Sequence, residues 1–350
     1  ESALVYQKME KQNKLIPSLA KGFKDRWGSE LVLKKKLISA IEQVFINYGF
    51  EPLETPPFEK SENIGSFLAN DETNPMSDVF LFEDEKESLT LRYDLSAPLS
   101  RFVAQNFRDL IFPYKRYAYG DVFRQEKADS ARFRSFTQFD ADVIGEANEA
   151  QVDAEICNII ADSFLNCGLN KNQFTINISN KKILQGLLVE LKVEDKKQYG
   201  VLKSIDKFDR IGLDGVGELL KQGRKDKSGA FTQGCDLSNG QASEILSFLK
   251  LKNIQDLKAN LKNPLSIEGI QELEELLEIV SYSKNLDLVK VDVKKIRGLS
   301  YYSSYLVETN LNFKARNAKG KEIEIGSCAS GGRYNNLIAR FKGADYKGSG

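Results

Sequence analysis

The 350-residue sequence contains no histidine. That absence removes every Ser-His-Asp, Cys-His and HExxH mechanism, so proton transfer falls to carboxylates, lysine, tyrosine or the substrate itself. Cysteine is sparse: Cys157, Cys167, Cys235 and Cys328 are widely spaced with no CxxC pair. This is the pattern of reduced thiols rather than of a disulfide framework or a structural zinc site. No apolar run approaches the roughly 18 residues of a membrane span, and the first residues lack the apolar core of a signal peptide. A cytoplasmic location is expected. Neither GK[ST] nor GxGxxG occurs, which removes the P-loop and Rossmann readings. Net charge is also lacking, with 50 Lys+Arg against 50 Asp+Glu. Bulk electrostatics therefore do not argue for nucleic acid, although a neutral chain can still carry a basic face.

What is present centres on Gly120 to Gly145. A strand-like run (Tyr117, Tyr119, Val122) leads into Phe123-Arg124-Gln125-Glu126, a polar connection follows, and the chain returns with period-2 alternation. Two such runs around a polar turn predict an antiparallel hairpin. On the return strand Phe133, Ser135, Thr137 and Phe139 share one parity. Arg132, Arg134, Phe136, Gln138, Asp140 and Asp142 share the other. The second face has too many charges for a core and too much order for a random solvent face.

Elsewhere, Leu33, Leu37, Ile38, Ile41 and Phe45 recur at helical spacing over 31–48, with Gly49 as the stop. Prolines 52, 56 and 57 then force an extended segment. Val79–Phe82 and Leu89–Arg92 read as strands around an acidic turn. Asp94 and Ser96 lie at the following strand–helix junction, where they suit either a helix cap, with Ser96 as the N-cap residue, or a ligand ammonium. An amphipathic helix is expected over 149–166 and a strand over 174–178. The stretch 181–287 is Lys/Glu/Leu-rich and mostly helical, with a basic loop at 222–229 that reads as a solvated loop or a phosphate contact. Alternation returns at Val289, Val291 and Val293, and again at Tyr305, Val307 and Thr309. Gly331-Gly332 permit a turn or a close approach of backbone to a ligand. Hairpins without regular βα alternation predict an α+β fold, an antiparallel sheet flanked by helices.

With these segments placed, the chain resembles the histidyl-tRNA synthetase family of class II aminoacyl-tRNA synthetases along nearly its whole length. Gly22-Phe23-Lys24-Asp25 resembles the N-terminal GFRD of that family, and the helix running to Pro56 resembles motif 1. Leu91-Arg92-Tyr93-Asp94-Leu95-Ser96 resembles the amino-acid-binding loop, and Phe123-Arg124-Gln125-Glu126 through Gln138 resembles motif 2. Arg297-Gly298-Leu299-Ser300-Tyr301-Tyr302 resembles the histidine-specific RGLDYY signature, and Gly331-Gly332-Arg333-Tyr334 the GGRYD strand.

The resemblance implies a catalytic core over 1–180 and 288–350 with an inserted helical domain over 181–287. It implies a homodimer formed through motif 1, with ATP, histidine and tRNA(His) as substrates. It also implies two steps, formation of histidyl-adenylate and its transfer to the tRNA 3′ end. Arg124 and Arg297 are expected on the α-phosphate, Glu126 on the adenine amino group, Phe136 against the purine and Arg132 near the pyrophosphate. Asp94 and Ser96 are expected on the substrate ammonium, Gln138 near the carboxylate, and Asp142 with Tyr301 and Tyr302 around the imidazole. Mg²⁺ is expected to be carried on ATP, with no metal site built by the protein. Ser300, Ser303-Ser304 and Asn335-Asn336 depart from the family pattern and put the fine contacts of the pocket wall in question. Motif 3 and the C-terminal anticodon-binding domain are expected beyond Gly350. The alternative is the paralogous regulatory subunit of ATP phosphoribosyltransferase, which shares the fold.

Overall fold

The computed structural model describes residues 16–64, 78–84, 86–126, 133–226, 229–296, 302–316, 320, 322–323, 325–335, 338–339, 341 and 346–350. The first helix, α1 (Gly28–Asn47), follows the helical apolar spacing and buries Val44 and Phe45 at its C-terminal end. Gly49 adopts a φ of 77°, the left-handed value that glycine takes without steric cost at a helix stop. The Phe50 N–H then returns to the Phe45 carbonyl at 3.0 Å, and the chain leaves as β1 (Glu51–Pro52).

A three-stranded sheet follows, made of β2 (Phe58–Lys60), β3 (Leu81–Asp84) and β4 (Glu87–Leu91) in the order β2-β4-β3. A short helix, α2 (Ser61–Ile64), follows β2, and α3 (Ser96–Asn106) follows β4. The expected N-cap role of Ser96 is not observed: Ser96 is the first helical residue. Asp94 does the capping, its Oδ1 accepting the Ala97 N–H at 2.9 Å. Both residue types are good caps, and a carboxylate three residues before an N–H reaches it directly.

The expected hairpin is present as β5 (Tyr114–Phe123) and β6 (Ser135–Ile144). They pair antiparallel from Tyr114↔Ile144 to Phe123↔Ser135. Next come α4 (Glu149–Asn166), capped by the Asn148 side chain, and β7 (Phe174–Asn180). The stretch from 181 is helical as expected, with α5 (Lys181–Glu190), α6 (Asp195–Asp206) and α7 (Phe208–Leu220), the last interrupted by non-helical Gly212. A small hairpin, β8 (Gly223–Lys225) with β9 (Phe231–Gln233), brackets the basic loop. The helices α8 (Asn239–Phe248), α9 (Ile254–Asn260) and α10 (Pro264–Ser281) complete the stretch. The chain then runs through β10 (Val289–Val291), β11 (Tyr305–Leu311), β12 (Ala315–Arg316), β13 (Glu322–Ile323), β14 (Ala329–Gly332) and β15 (Gly348–Ser349).

Two four-stranded sheets, β1-β5-β6-β15 and β10-β7-β11-β14, carry the architecture. They are mostly antiparallel, with parallel pairing only of β1 to β5 and of β10 to β7. The two sheets meet edge to edge. Gly332 N–H donates to Gly350 O at 2.8 Å, Tyr334 N–H donates to Gly348 O at 2.7 Å, and Arg333 bridges Ser349. The Gly331-Gly332 pair serves this junction. A Cβ on Gly331 would stand 2.1 Å from Gly350 O, and one on Gly332 would stand 2.5 Å from Tyr305 O and 2.9 Å from the Tyr302 ring. The close approach is thus to neighbouring protein.

Beneath the sheets, Ile176, Ile178, Leu184, Leu188, Leu273 and Val307 share one core with Phe45, Tyr117 and α4. Each such aliphatic residue contributes about 1.5–3 kcal/mol by leaving water. At the sheet junction a buried ion pair adds direction to this packing: the Arg333 guanidinium donates to Asp153 of α4, whose other oxygen accepts from Ser349 Oγ at 2.9 Å. Removing one member of a buried pair strands the other charge. Arg333→Met is therefore expected to lower the unfolding free energy by about 3 kcal/mol or more in urea titration. Lys258→Met, which breaks an exposed pair with Glu274, is expected to change it by less than about 1 kcal/mol.

Candidate amino-acid and nucleotide site

Because side chains alternate along a strand, β6 presents Phe136, Gln138, Asp140 and Asp142 on one face. Across the ladder they face Val122, Gly120, Ala118 and Arg116 of β5, in that order. Gly120 and Ala118 keep the floor low in the middle of the face. Arg92 lies over Gly120, so that a Cβ there would stand 2.2 Å from its Nη2. The Arg92 side chain is fixed by two backbone carbonyls, Nε to Asp121 O at 2.9 Å and Nη1 to Thr55 O at 2.8 Å.

At one end of the face, the Arg124 guanidinium sits 4.3 Å from the Tyr93 ring centroid and 5.0 Å from that of Phe136. The two rings clamp the cation by its faces. Its Nε makes one long bond, 3.4 Å, to Tyr93 O, and no described residue accepts from its Nη atoms. Around it, Arg124 N–H donates to Arg134 O at 2.9 Å, Arg134 Nε donates to Glu126 O at 3.0 Å, and Arg134 N–H donates to Gly22 O at 2.8 Å. The Gly22-Phe23 segment thus docks on the hairpin arm.

At the other end, Arg116 and Asp142 form an ion pair at 2.8 Å, with both side chains almost wholly removed from solvent. Asp142 Oδ1 accepts from the Tyr334 hydroxyl, and Arg116 Nη2 donates to Leu95 O at 3.1 Å. The Arg116–Asp142 approach is not aligned as a hydrogen bond, and Arg116 Nε and Nη1 have no hydrogen-bond partner. Burial and the Asp142 charge push the Tyr334 hydroxyl well above its ordinary pKa. Tyr302, from beyond the helical stretch, packs its ring on Gly332 beside Tyr334.

Between these ends lie Asp94, Gln138 and Asp140. Asp94 and Asp140 are partly exposed as residues, but their carboxyl groups are enclosed by neighbours. Burial raises the Asp94 carboxyl, opposed by the Ala97 N–H and by Arg124 and Arg116. Burial likewise pushes Asp140 up to about 7, opposed by Arg116 and reinforced by the Asp142 and Asp94 charges. The Gln138 amide oxygen is buried without a partner.

The structure therefore gathers Asp94, Arg124, Phe136, Gln138, Asp142 and Tyr302 along one face, with Ser96 at the adjacent start of α3 and Glu126 just past the arm. Arg132, Arg297 and Tyr301 lie outside the described residues. Sequence reasoning assigned no role to Arg92, Arg116 or Asp140. Asp140 was visible through its parity, and Arg92 through its place in the amino-acid-binding segment. Arg116 gave no signal beyond a charge inside an apolar strand. Among the described residues no cluster of three or more acidic or thiol groups is placed to hold a metal, and no helix is long and apolar enough to cross a membrane.

Comparisons with known proteins bear on the family and the fold. The model of the family described as histidyl-tRNA synthetase matches residues 22–350. The histidine–tRNA ligase of Pelagibacter ubique (strain HTCC1062) is 60% identical over 344 residues, covering 98% of this chain and 74% of the relative. That of Bartonella bacilliformis is 41% identical, covering 95% of this chain and 69% of the relative. Among solved structures, a histidyl-tRNA synthetase from Nostoc sp. PCC 7120 superposes with a TM-score of 0.77 at 27% identity, covering 96% of this chain and 73% of that one. An ATP phosphoribosyltransferase regulatory subunit/histidyl-tRNA synthetase from Bacillus halodurans superposes with a TM-score of 0.78. At 20% identity, over 96% of this chain and 81% of that one, it shows the shared fold alone. Family model, relatives and fold coincide over the residues that build the site, and the chain belongs to the histidyl-tRNA synthetase family.

Proposed function

We propose that the protein is a histidine–tRNA ligase of the cytoplasm. It joins histidine to ATP as histidyl-adenylate with release of pyrophosphate, then passes the histidyl group to the 3′ end of tRNA(His). The observation that carries this reading is the division of one strand face into a cationic end and an acidic end. The Arg124 guanidinium is held by ring faces, and no described residue accepts from its Nη atoms. Asp94, Gln138 and Asp140 supply acceptors farther along.

The chemistry requires little more. The histidine carboxylate is already ionised at neutral pH, so the first step needs no strong base. Charge grows on the α-phosphate in the transition state, and preorganised guanidinium groups lower that barrier. Arg124 is the proposed first contact, with Arg297 opposite it and Arg132 toward the pyrophosphate. Phe136 offers a ring to the purine beside the Arg124 cation, and Glu126 an acceptor to its amino group. Asp94, with Ser96, receives the substrate ammonium. The unpartnered Gln138 oxygen is an acceptor, which suits an N–H of the substrate better than its carboxylate. Asp142, Tyr301 and Tyr302 form the imidazole end, where buried polar groups reject side chains that leave them unpaired. Mg²⁺ enters with the ATP phosphates, whose oxygens suit a hard cation.

We further propose that 181–287 is a helical domain inserted into a core formed by 1–180 and 288–350. The strands that flank it, β7 and β10, are parallel neighbours in one sheet, with Ile176 opposite Val289. The chain leaves and re-enters the sheet side by side, as a crossover must. Its end helices, α5 and α10, pack together, and α10 also packs on α4 and β7. A homodimer through α1 is proposed because Trp27, Val32, Leu33 and Leu37 are exposed on and just before it, Trp27 by 76%. Contiguous exposed apolar residues of this kind mark an association surface.

Histidine-dependent ATP–pyrophosphate exchange is the decisive assay. The wild-type protein is expected to show it, and Arg124→Ala to lose about 10²–10³-fold in rate. Absence of exchange in the wild type, with stimulation of a phosphoribosyltransferase instead, would overturn the proposal. In sedimentation velocity the wild type is expected to run as a dimer, and Leu33→Glu combined with Leu37→Glu as a monomer.

A further inference from the structure

Two carboxylates stand two residues apart on the site face of β6, and they differ in what already holds them. Asp142 is 2% exposed. Its Oδ1 accepts from Tyr334, its Oδ2 lies 2.8 Å from Arg116 Nη2, and the Gly350 backbone packs against it. One oxygen is thus bonded by Tyr334, and the other faces the Arg116 charge without an aligned hydrogen bond. Asp140 is different. No described residue donates a hydrogen bond to it, and the residue opposite on β5 is Ala118, which carries only a methyl group.

Charges rather than bonds surround Asp140. They are Arg116 on β5, Asp142 on β6, Asp94 before α3, Arg124 past the end of β5, and Arg92 from the segment after β4. Next to it on the same face is the unpartnered Gln138 oxygen, about 7 Å along the strand. A buried acceptor left unmade costs free energy until a ligand supplies the donor. The Gln138 oxygen and Asp142 Oδ2 are the buried acceptors of this face without a hydrogen bond; Arg116 faces the latter, whereas Asp140, beside Gln138, accepts from no described residue and has Asp94 as its electrostatic neighbour.

We propose that Asp140 is a binding residue for the α-ammonium of the amino-acid substrate, shared with Asp94 and Gln138, while Asp142 is held by Arg116 and Tyr334 as the fixed wall of the pocket. The proposal rests on the reading of this face as the histidine-activating site. An ammonium placed there supplies three donors to Asp94, which otherwise has the Ala97 N–H, and to Gln138 and Asp140, which accept from no described residue, and it offsets the mutual repulsion of Asp94 and Asp140. A carboxyl raised toward neutrality by burial ionises when a cation arrives, so occupancy and charge rise together.

The test is Asp140→Asn in the exchange assay. The KM for histidine is expected to rise about tenfold or more, as for loss of a buried charge-assisted hydrogen bond. The KM for ATP and the urea midpoint stay near wild type. Histidinol, which keeps the ammonium, should lose inhibitory affinity in the variant. Imidazolepropionate, which lacks the ammonium, should not. A histidine KM within about twofold of wild type, or equal weakening of both inhibitors, overturns the proposal. The wild type gives a second reading that needs no variant. Ionised Asp140 holds the ammonium and protonated Asp140 does not, so inhibition by histidinol should tighten from about pH 6 to about pH 8 more than inhibition by imidazolepropionate. Parallel profiles for the two inhibitors also overturn it. Absence of exchange in the wild type would instead count against the proposed function.

Discussion

The buried pair of Arg116 and Asp142 is the constraint on which the rest of the site depends. It joins β5 to β6 at the point where Leu95 O, just before α3, and the Tyr334 hydroxyl, just after β14, also converge. Four segments distant in sequence thus share one charge centre. Such a pair adds little net stability, because two desolvated charges roughly repay their own cost. What it supplies is position. Once Arg116 is fixed, the start of α3, the acidic end of β6 and the tyrosines of the C-terminal segment can take only one mutual arrangement. The sheet junction then closes over them through Gly332, Tyr334 and the final residues.

How much of this was legible in the sequence differs by element. The hairpin was legible because period-2 alternation is a local property, and the ladder confirms it residue by residue from Tyr114↔Ile144 to Phe123↔Ser135. The helices were legible from apolar spacing, and the stop at Gly49 from its residue type. Charged residues within strands were not. Arg116 reads as a stray charge until Asp142, Leu95 O and Tyr334 are seen around it, and none of these lies nearby in sequence. Arg92 was placed in a motif, but its reach to Thr55 O and Asp121 O depends on three segments meeting. Asp94 and Ser96 could both cap α3, and only the backbone path of the turn selects Asp94. Gly331-Gly332 signalled a turn or a close approach to a ligand, and the structure shows close approach to protein backbone and a ring. Whether backbone, ring or ligand comes close is decided by a strand that arrives from residues 348–350.

The same distinction separates Asp140 from Asp142. As a sequence pattern they are equivalent, two carboxylates of the same parity. Tertiary structure makes them unlike, because Tyr334 and Arg116 reach one and leave the other among charges with no hydrogen bond from a described residue. The resemblance to the family directs attention to Asp142, since it assigns roles by position. Hydrogen-bond accounting separates the two: Asp142 has the Tyr334 donor on one oxygen and the Arg116 charge beside the other, whereas no described residue donates to Asp140. The two readings are compatible if Asp142 shapes the pocket while Asp140 meets the charge of the substrate.

A synthetase built without histidine is physically reasonable on these terms. Adenylate formation joins a nucleophile that is already ionised to a phosphorus centre whose developing charge needs fixed cations. Arginine keeps its charge across the whole working range of pH, and two aromatic faces orient it without consuming its N–H donors. The complementary need, acceptors for an ammonium, is one that the proposed site meets with carboxylates and an amide. Along β6 the hydrogen-bonded ladder fixes the spacing of Phe136, Gln138, Asp140 and Asp142 at two residues each, about 7 Å, with Arg124 just past β5 and Asp94 just before α3. Distance between the nucleotide end and the amino-acid end is thus a property of a strand rather than of a loop. On the proposed reading, a rigid ruler of this kind would hold two substrates in line for attack.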